Sequence, residues 1–231
     1  MQNLKLLIGV IGGTLVLVFG IAFLFSSNED SSSEPTVADS NLTEADRRHV
    51  YVAAATEEAE TSETEEATDS VEPEAELVTI VEFSDLQCPA CRTAETTVNK
   101  VMADNPGKIE LVYRHFPLEQ LHPYAREAAI ASEIVAEQGL FFEYKQLLFE
   151  TQPDWAASED PTPMFIDYAQ QVGADVTDFE TKLEDKAYSD LVEADVRDGF
   201  ALGVNSTPTF YVNGEKLSNV GALSAAVSDR L

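Results

Sequence analysis

The hydrophobic pattern divides most of the chain into strands and helices. Residues 77–83, Leu-Val-Thr-Ile-Val-Glu-Phe, form an apolar, β-branched run that predicts a buried strand. From Cys88 to about Asp104, Cys91, Ala94, Val98 and Val101 recur at helical spacing. Pro89 suits the first turn, and Asn105-Pro106-Gly107 ends the pattern. In residues 109–115, Ile109, Leu111, Tyr113 and His115 alternate with Glu110, Val112 and Arg114, which predicts a second strand. Strand, helix and strand make a βαβ unit with parallel strands and a right-handed crossover. Helical spacing then dominates residues 123–137, 141–149, 163–172 and 176–200, with a loop at 151–162 carrying Pro153, Trp155 and Pro161. The aromatic residues of this block read as core. Residues 209–212 and 215–217 flank Asn213-Gly214, a hairpin signature, and a closing helix is expected over 222–231. The order predicts an α/β sheet with helices on both faces.

The N-terminal third reads differently. Residues 6–25 are twenty positions without a charge, long enough to cross a bilayer as a helix. Lys5 precedes them and Asn28-Glu29-Asp30 follows, which leaves the N-terminus in the cytoplasm and exports the remainder. Phe23, Leu24 and Phe25 are bulky where a signal peptidase needs small side chains, so 1–25 reads as an uncleaved transmembrane signal anchor rather than a cleaved leader. Both readings deliver the rest to a compartment where disulfides persist. Residues 26–76 hold 16 acidic and two basic side chains and are expected to be a disordered acidic linker, spanning roughly 40 Å as a flexible coil. Its one apolar island, 49–55, has the makings of a transient helix or a docking segment, but most such islands are neither and it is read as spacer with the rest. Residues 77–231 remain as one domain, with 11 basic against 26 acidic side chains. That balance argues against nucleic acid and anionic lipid as partners.

The only two cysteines, Cys88 and Cys91, frame Cys-Pro-Ala-Cys directly after the first strand. A thiol at a helix N-terminus faces unpaired N–H groups that favour the thiolate, which makes Cys88 the nucleophile. Cys91, one turn on, is placed to resolve a mixed disulfide. Zinc is the competing reading, but four ligands are hard to find: His115 and His122 are seven apart, and His49 lies in the segment expected to be unfolded. A purely structural disulfide would close too short a loop to constrain the unfolded chain much.

Three stretches together resemble a known family: Val81-Glu82-Phe83-Ser84-Asp85-Leu86-Gln87-Cys88-Pro89-Ala90-Cys91; Tyr113-Arg114-His115-Phe116-Pro117-Leu118 with His122-Pro123; and Gly203-Val204-Asn205-Ser206-Thr207-Pro208-Thr209-Phe210. The pattern is similar to the membrane-anchored, DsbA-like thiol:disulfide oxidoreductases of the thioredoxin superfamily. The resemblance covers residues 77–231 and implies a thioredoxin fold with a helical insertion at about 120–200. It also implies an exposed attacking thiol at Cys88 and its partner at Cys91. Pro208 becomes a cis-proline facing the dithiol, and Thr207 offers its backbone to substrate peptide. Glu82 would be a buried acid that accepts the proton of the resolving thiol; the alternative is a solvent-facing strand residue. Ala90 departs from the histidine of strongly oxidising relatives, so a milder oxidant is expected.

The function implied is an extracytoplasmic oxidase that introduces disulfides into exported proteins, without cofactor or metal. It would be monomeric and reoxidised by a quinone-linked membrane partner. A disulfide isomerase or reductase is the first alternative, toward which Thr207 points. The second is a non-enzymatic module that holds peptides, its cysteines incidental.

Overall fold

The computed structural model describes residues 49–53 and 77–231; the apolar run 6–25 and the rest of the acidic linker lie outside the described residues. Among the described residues, no helix is long and apolar enough to cross a membrane. In chain order the elements are β1 (Val50–Val52), β2 (Val78–Ser84), α1 (Pro89–Asp104) and β3 (Ile109–His115). A helical block follows: α2 (Ala125–Ala136), α3 (Phe141–Glu150), α4 (Gln152–Ala156), α5 (Thr162–Gln171), α6 (Val176–Glu184) and α7 (Ser189–Ala201). The chain closes with β4 (Thr209–Val212), β5 (Glu215–Lys216), a 3-10 turn (Val220–Ala222) and α8 (Leu223–Ser228). The sheet order is β1-β3-β2-β4-β5, with β2 and β3 parallel and the other pairs antiparallel.

Every residue of β2 and β3 is buried, as parallel strands covered on both faces require. Val78 and Ile80 pack against Ala94, Val98 and Val101 of α1 and Leu223 and Val227 of α8. Val81 and Phe83 point the other way, toward Val112, Phe116 and Tyr211, with Val196 of α7 behind them. Helices therefore cover both faces. The block from α2 to α6 builds a separate core around Tyr144, Trp155, Phe165 and Phe179, and this core also takes in Cys91 and Tyr113. The insertion thus lies directly against the dithiol.

Three expectations need correction. The island at 49–55 is not spacer: Val50–Val52 pairs with Val112, Leu111 and Glu110 of β3. It is held at both ends, by Tyr113 N–H donating to His49 O (3.0 Å) and Gly107 N–H to Ala53 O (2.7 Å). The physical reason is the open edge of β3, whose backbone groups need partners that the local sequence around 49 does not reveal. His49, expected to be unfolded, is buried.

The loop 151–162 contains α4, whose Trp155 is wholly buried and donates its indole N–H to Leu148 O (2.8 Å). The helix expected over 176–200 is two helices, interrupted where Lys186 (φ 51°) and Tyr188 (φ 65°) take left-handed backbone. The interruption redirects α7 so that Asp195 and Asp198 reach Arg114 of β3 at 2.7 and 2.6 Å. The Asn213-Gly214 turn stands as read, with φ of 46° and 80°.

Candidate functional site

The site forms where β2 hands over to α1. Cys88 caps the helix in extended conformation (φ −73°, ψ 121°), which sets its thiol at the N–H groups of the first turn. The loop before it is held from several directions. Cys88 N–H donates to Asp85 O (3.0 Å), and Asp85 Oδ1 accepts from Gln87 N–H (2.8 Å). Asp85 Oδ2 accepts from Leu118 N–H (2.9 Å) and pairs with His122 Nδ1 (2.7 Å). Gln87 Oε1 accepts from Tyr124 N–H (2.7 Å). From α4, Gln152 Nε2 donates to Leu86 O (2.8 Å) and Cys88 O (3.1 Å).

Both cysteines are free thiols. The expectation of an exposed Cys88 is corrected: the residue is 6% exposed and Cys91 0%. Cys88 Sγ lies 3.6 Å from the Thr207 carbonyl oxygen, and the Thr207–Pro208 bond is cis. The Cys88 thiol is lowered from near 9 to about 5, chiefly because Cys91 donates a hydrogen bond to its thiolate. Burial opposes the shift, while Thr207 and the backbone N–H groups of Cys91 and Ala90 add to it. Cys91 moves the opposite way, well above the ordinary thiol range, driven by burial and then by the neighbouring Cys88. The two thiols are therefore differentiated. One is a thiolate at neutral pH and the other is not.

Glu82 stands mid-strand, opposite Tyr113 of β3 and Phe210 of β4, and is 0% exposed, so the solvent-facing alternative is excluded. Neither of its carboxylate oxygens has a hydrogen-bond partner, nor do Ser84 Oγ and Tyr113 OH. Burial raises the Glu82 carboxyl to about 7; Lys145 pulls it down, and Glu95 pushes it up again. Lys145 Nζ itself is buried against Glu95 Oε1 at 2.6 Å. The Ser84 hydroxyl favours the ionised forms of both Glu82 and Cys91. It therefore borders both groups. A carboxyl that titrates near neutrality beside a thiol that holds its proton can exchange a proton with it.

The fold thus gathers Cys88, Cys91, Thr207 and Pro208 at one point and sets Glu82 behind them through Ser84. Sequence reasoning missed Gln152, Lys145 and Glu95. Gln152 and Lys145 come from the helical block with no local signal; Glu95 stands on α1, seven residues after Cys88, where only its burial betrays it. Outside the dithiol, His49, His115 and Glu133 form the group of metal-ligating side chains found among the described residues.

Residues 72–229 match the thioredoxin family model. Among solved structures, oxidised BdbD from Bacillus subtilis superposes with a TM-score of 0.59 at 25% identity, over 66% of this chain and 84% of that one. A thioredoxin-like oxidoreductase from Silicibacter pomeroyi gives 0.54 at 27% identity, over 68% and 88%. A curated relative, Na(+)/H(+) antiporter NhaA 3 of Salinispora tropica, is 37% identical over 158 residues, which is 67% of this chain and 23% of that protein. The chain spans about a quarter of the length of the curated relatives it matches.

Proposed function

The chain belongs to the thioredoxin family and is a thiol–disulfide oxidoreductase of the DsbA type, and on that premise we propose that it is an oxidase that donates its Cys88–Cys91 disulfide to exported proteins. The observation that carries this reading is the Cys88 thiol at the helix N-terminus, lowered to about 5 chiefly by the hydrogen bond from Cys91. A stabilised thiolate stabilises the reduced pair and so makes the disulfide a stronger oxidant. The value lies between the roughly 7 of thioredoxin and the roughly 3.5 of the strongest oxidants of this type. It agrees with a milder oxidant, as Ala90 in place of histidine suggests.

In the proposed cycle a substrate thiolate attacks Cys88 Sγ of the disulfide, and the Cys88–Cys91 bond breaks with Cys91 as leaving group. Cys91 takes a proton, for which Glu82 is the nearest fit, its carboxyl being about half protonated near pH 7. A second substrate thiolate then attacks the substrate sulfur of the mixed disulfide and expels Cys88 as thiolate. Two electrons pass from substrate to the pair. Thr207 offers its backbone to extended substrate beside Pro208. Reoxidation falls to a membrane partner linked to quinone, and residues 1–25 anchor the domain outside the cytoplasm on the acidic linker.

The test is the equilibrium reduction potential of the pair in glutathione buffers. A value between about −80 and −160 mV supports donation of disulfides; a value near −270 mV, that of thioredoxin, makes the protein a reductase or isomerase instead.

A further inference from the structure

His49 of the β1 segment, His115 at the end of β3 and Glu133 on α2 come from three separated parts of the chain and meet in the interior. His49 Nε2 lies 2.8 Å and His115 Nε2 3.3 Å from the same oxygen, Glu133 Oε1. All three donor atoms fall within 4.8 Å of one another, and all three residues are buried. The rings are held in place by aromatic neighbours. His49 stacks on Phe141 at 3.7 Å and 3°, and His115 meets Phe141 and Tyr113 edge to face. Two imidazole nitrogens converge on one carboxylate oxygen beside aromatic walls, and the three atoms together are a donor set that suits divalent zinc.

We propose that His49, His115 and Glu133 form a structural Zn²⁺ site that fastens the β1 segment to the domain. Metal–ligand bonds of about 2.0–2.1 Å set tetrahedral ligand atoms about 3.3 Å apart. The His115–Glu133 separation already has that value, and the His49–Glu133 separation reaches it by a shift of roughly 0.5 Å. Ser132 Oγ, 3.4 Å from His115 Nε2, is a further oxygen beside the three ligand atoms and a candidate for the fourth position. The charge of the chain, −28, favours cation uptake. The position of the site also explains its use. β1 has three residues, and two of them, Tyr51 and Val52, are about 40% exposed, so the strand has little apolar burial of its own to hold it. A metal bridging His49 to β3 and α2 supplies that hold.

The experiment is zinc uptake by the full chain in its oxidised form, so that no cysteine thiolate competes for the metal. After removal of unbound ion, elemental analysis should find one zinc per chain, and His49→Gln and Glu133→Gln should each weaken uptake at least tenfold. Cobalt(II) substituted into the unmutated protein should show the intense visible bands of a four-coordinate site, a readout that does not depend on how the variants fold. No retained zinc would overturn the proposal and leave a hydrogen-bonded His–Glu–His clasp. Undiminished uptake in the variants, or only the weak bands of six-coordinate cobalt, would overturn it by locating the metal on the acidic linker.

Discussion

Cys88 Sγ and the carbonyl oxygen of Thr207, 119 positions apart in the chain, face each other at 3.6 Å. That carbonyl can only accept from the thiol; the thiolate is favoured instead by the Cys91 thiol, with the Thr207 side chain and the first-turn N–H groups adding to it, and it should be directly visible. Absorbance of the reduced protein at the thiolate band should titrate with a midpoint near pH 5, and alkylation of Cys88 should be nearly pH-independent above about pH 6. A midpoint close to that of a free thiol would contradict the assignment. The linkage has a definite sign. Because the folded value lies below the unfolded one, the reduced form holds this stabilisation fully above about pH 9 and loses it as pH falls through 5. Denaturant unfolding of reduced and oxidised protein should therefore show the reduced form losing ground between pH 8 and pH 4.

Glu82 gives the opposite sign. Its carboxyl is raised from 4.5 to about 7, so stability is fully present below pH 4.5 and declines as pH rises through 7. Glu82→Gln removes that decline. At pH 8 the variant should be more stable than the parent by up to about 3 kcal/mol, the size of such a shift for a buried group, with little difference at pH 4. The same variant should slow the step that exchanges the Cys91 proton and flatten its pH profile around 7. Identical pH profiles for variant and parent would remove Glu82 from the mechanism.

Gln152 reaches from α4 to two carbonyls of the loop before the helix, Leu86 O and Cys88 O. Gln152→Ala leaves both without that donor and should cost about 1–3 kcal/mol in urea unfolding. Since the loop sets the direction of Cys88, the thiolate midpoint should rise in the same variant. An unchanged midpoint with lowered stability would assign Gln152 a purely structural role.

Gly199, on α7, sits against the ring of Phe116. A Cβ placed there would lie 2.6 and 2.7 Å from two ring carbons, and Phe83 lies on the same side at 3.2 Å. Gly199→Ala should destabilise the domain by about 1–3 kcal/mol, despite the better helix propensity of alanine, because the buried ring cannot move away. A variant as stable as the parent in thermal unfolding would mean that Phe116 has an alternative position.

The motif stretches were legible because their signals are local. Val78 to Phe83 is buried on both faces and reads as such; Pro89 opens α1; Asn213-Gly214 needs two positive φ angles and has the two residue types that accept them. The insertion was legible as helices, yet its interruption at Lys186–Tyr188 was not, since neither residue is a usual choice for left-handed backbone. That turn is selected by the pairing of Asp195 and Asp198 with Arg114, more than 80 positions away.

By itself the sequence determined the βαβ unit, the helical character of the block that follows it and the closing hairpin, the place of the dithiol at a helix N-terminus and the strong acidity of the chain, because each depends on near neighbours or on composition. Only the tertiary structure decided that Glu82 is buried without partners, that Cys88 is recessed rather than exposed, that Gln152 and Lys145 belong to the site, and that His49 is part of the core. These outcomes depend on solvent exclusion and on contacts between distant segments. No window of sequence contains both partners.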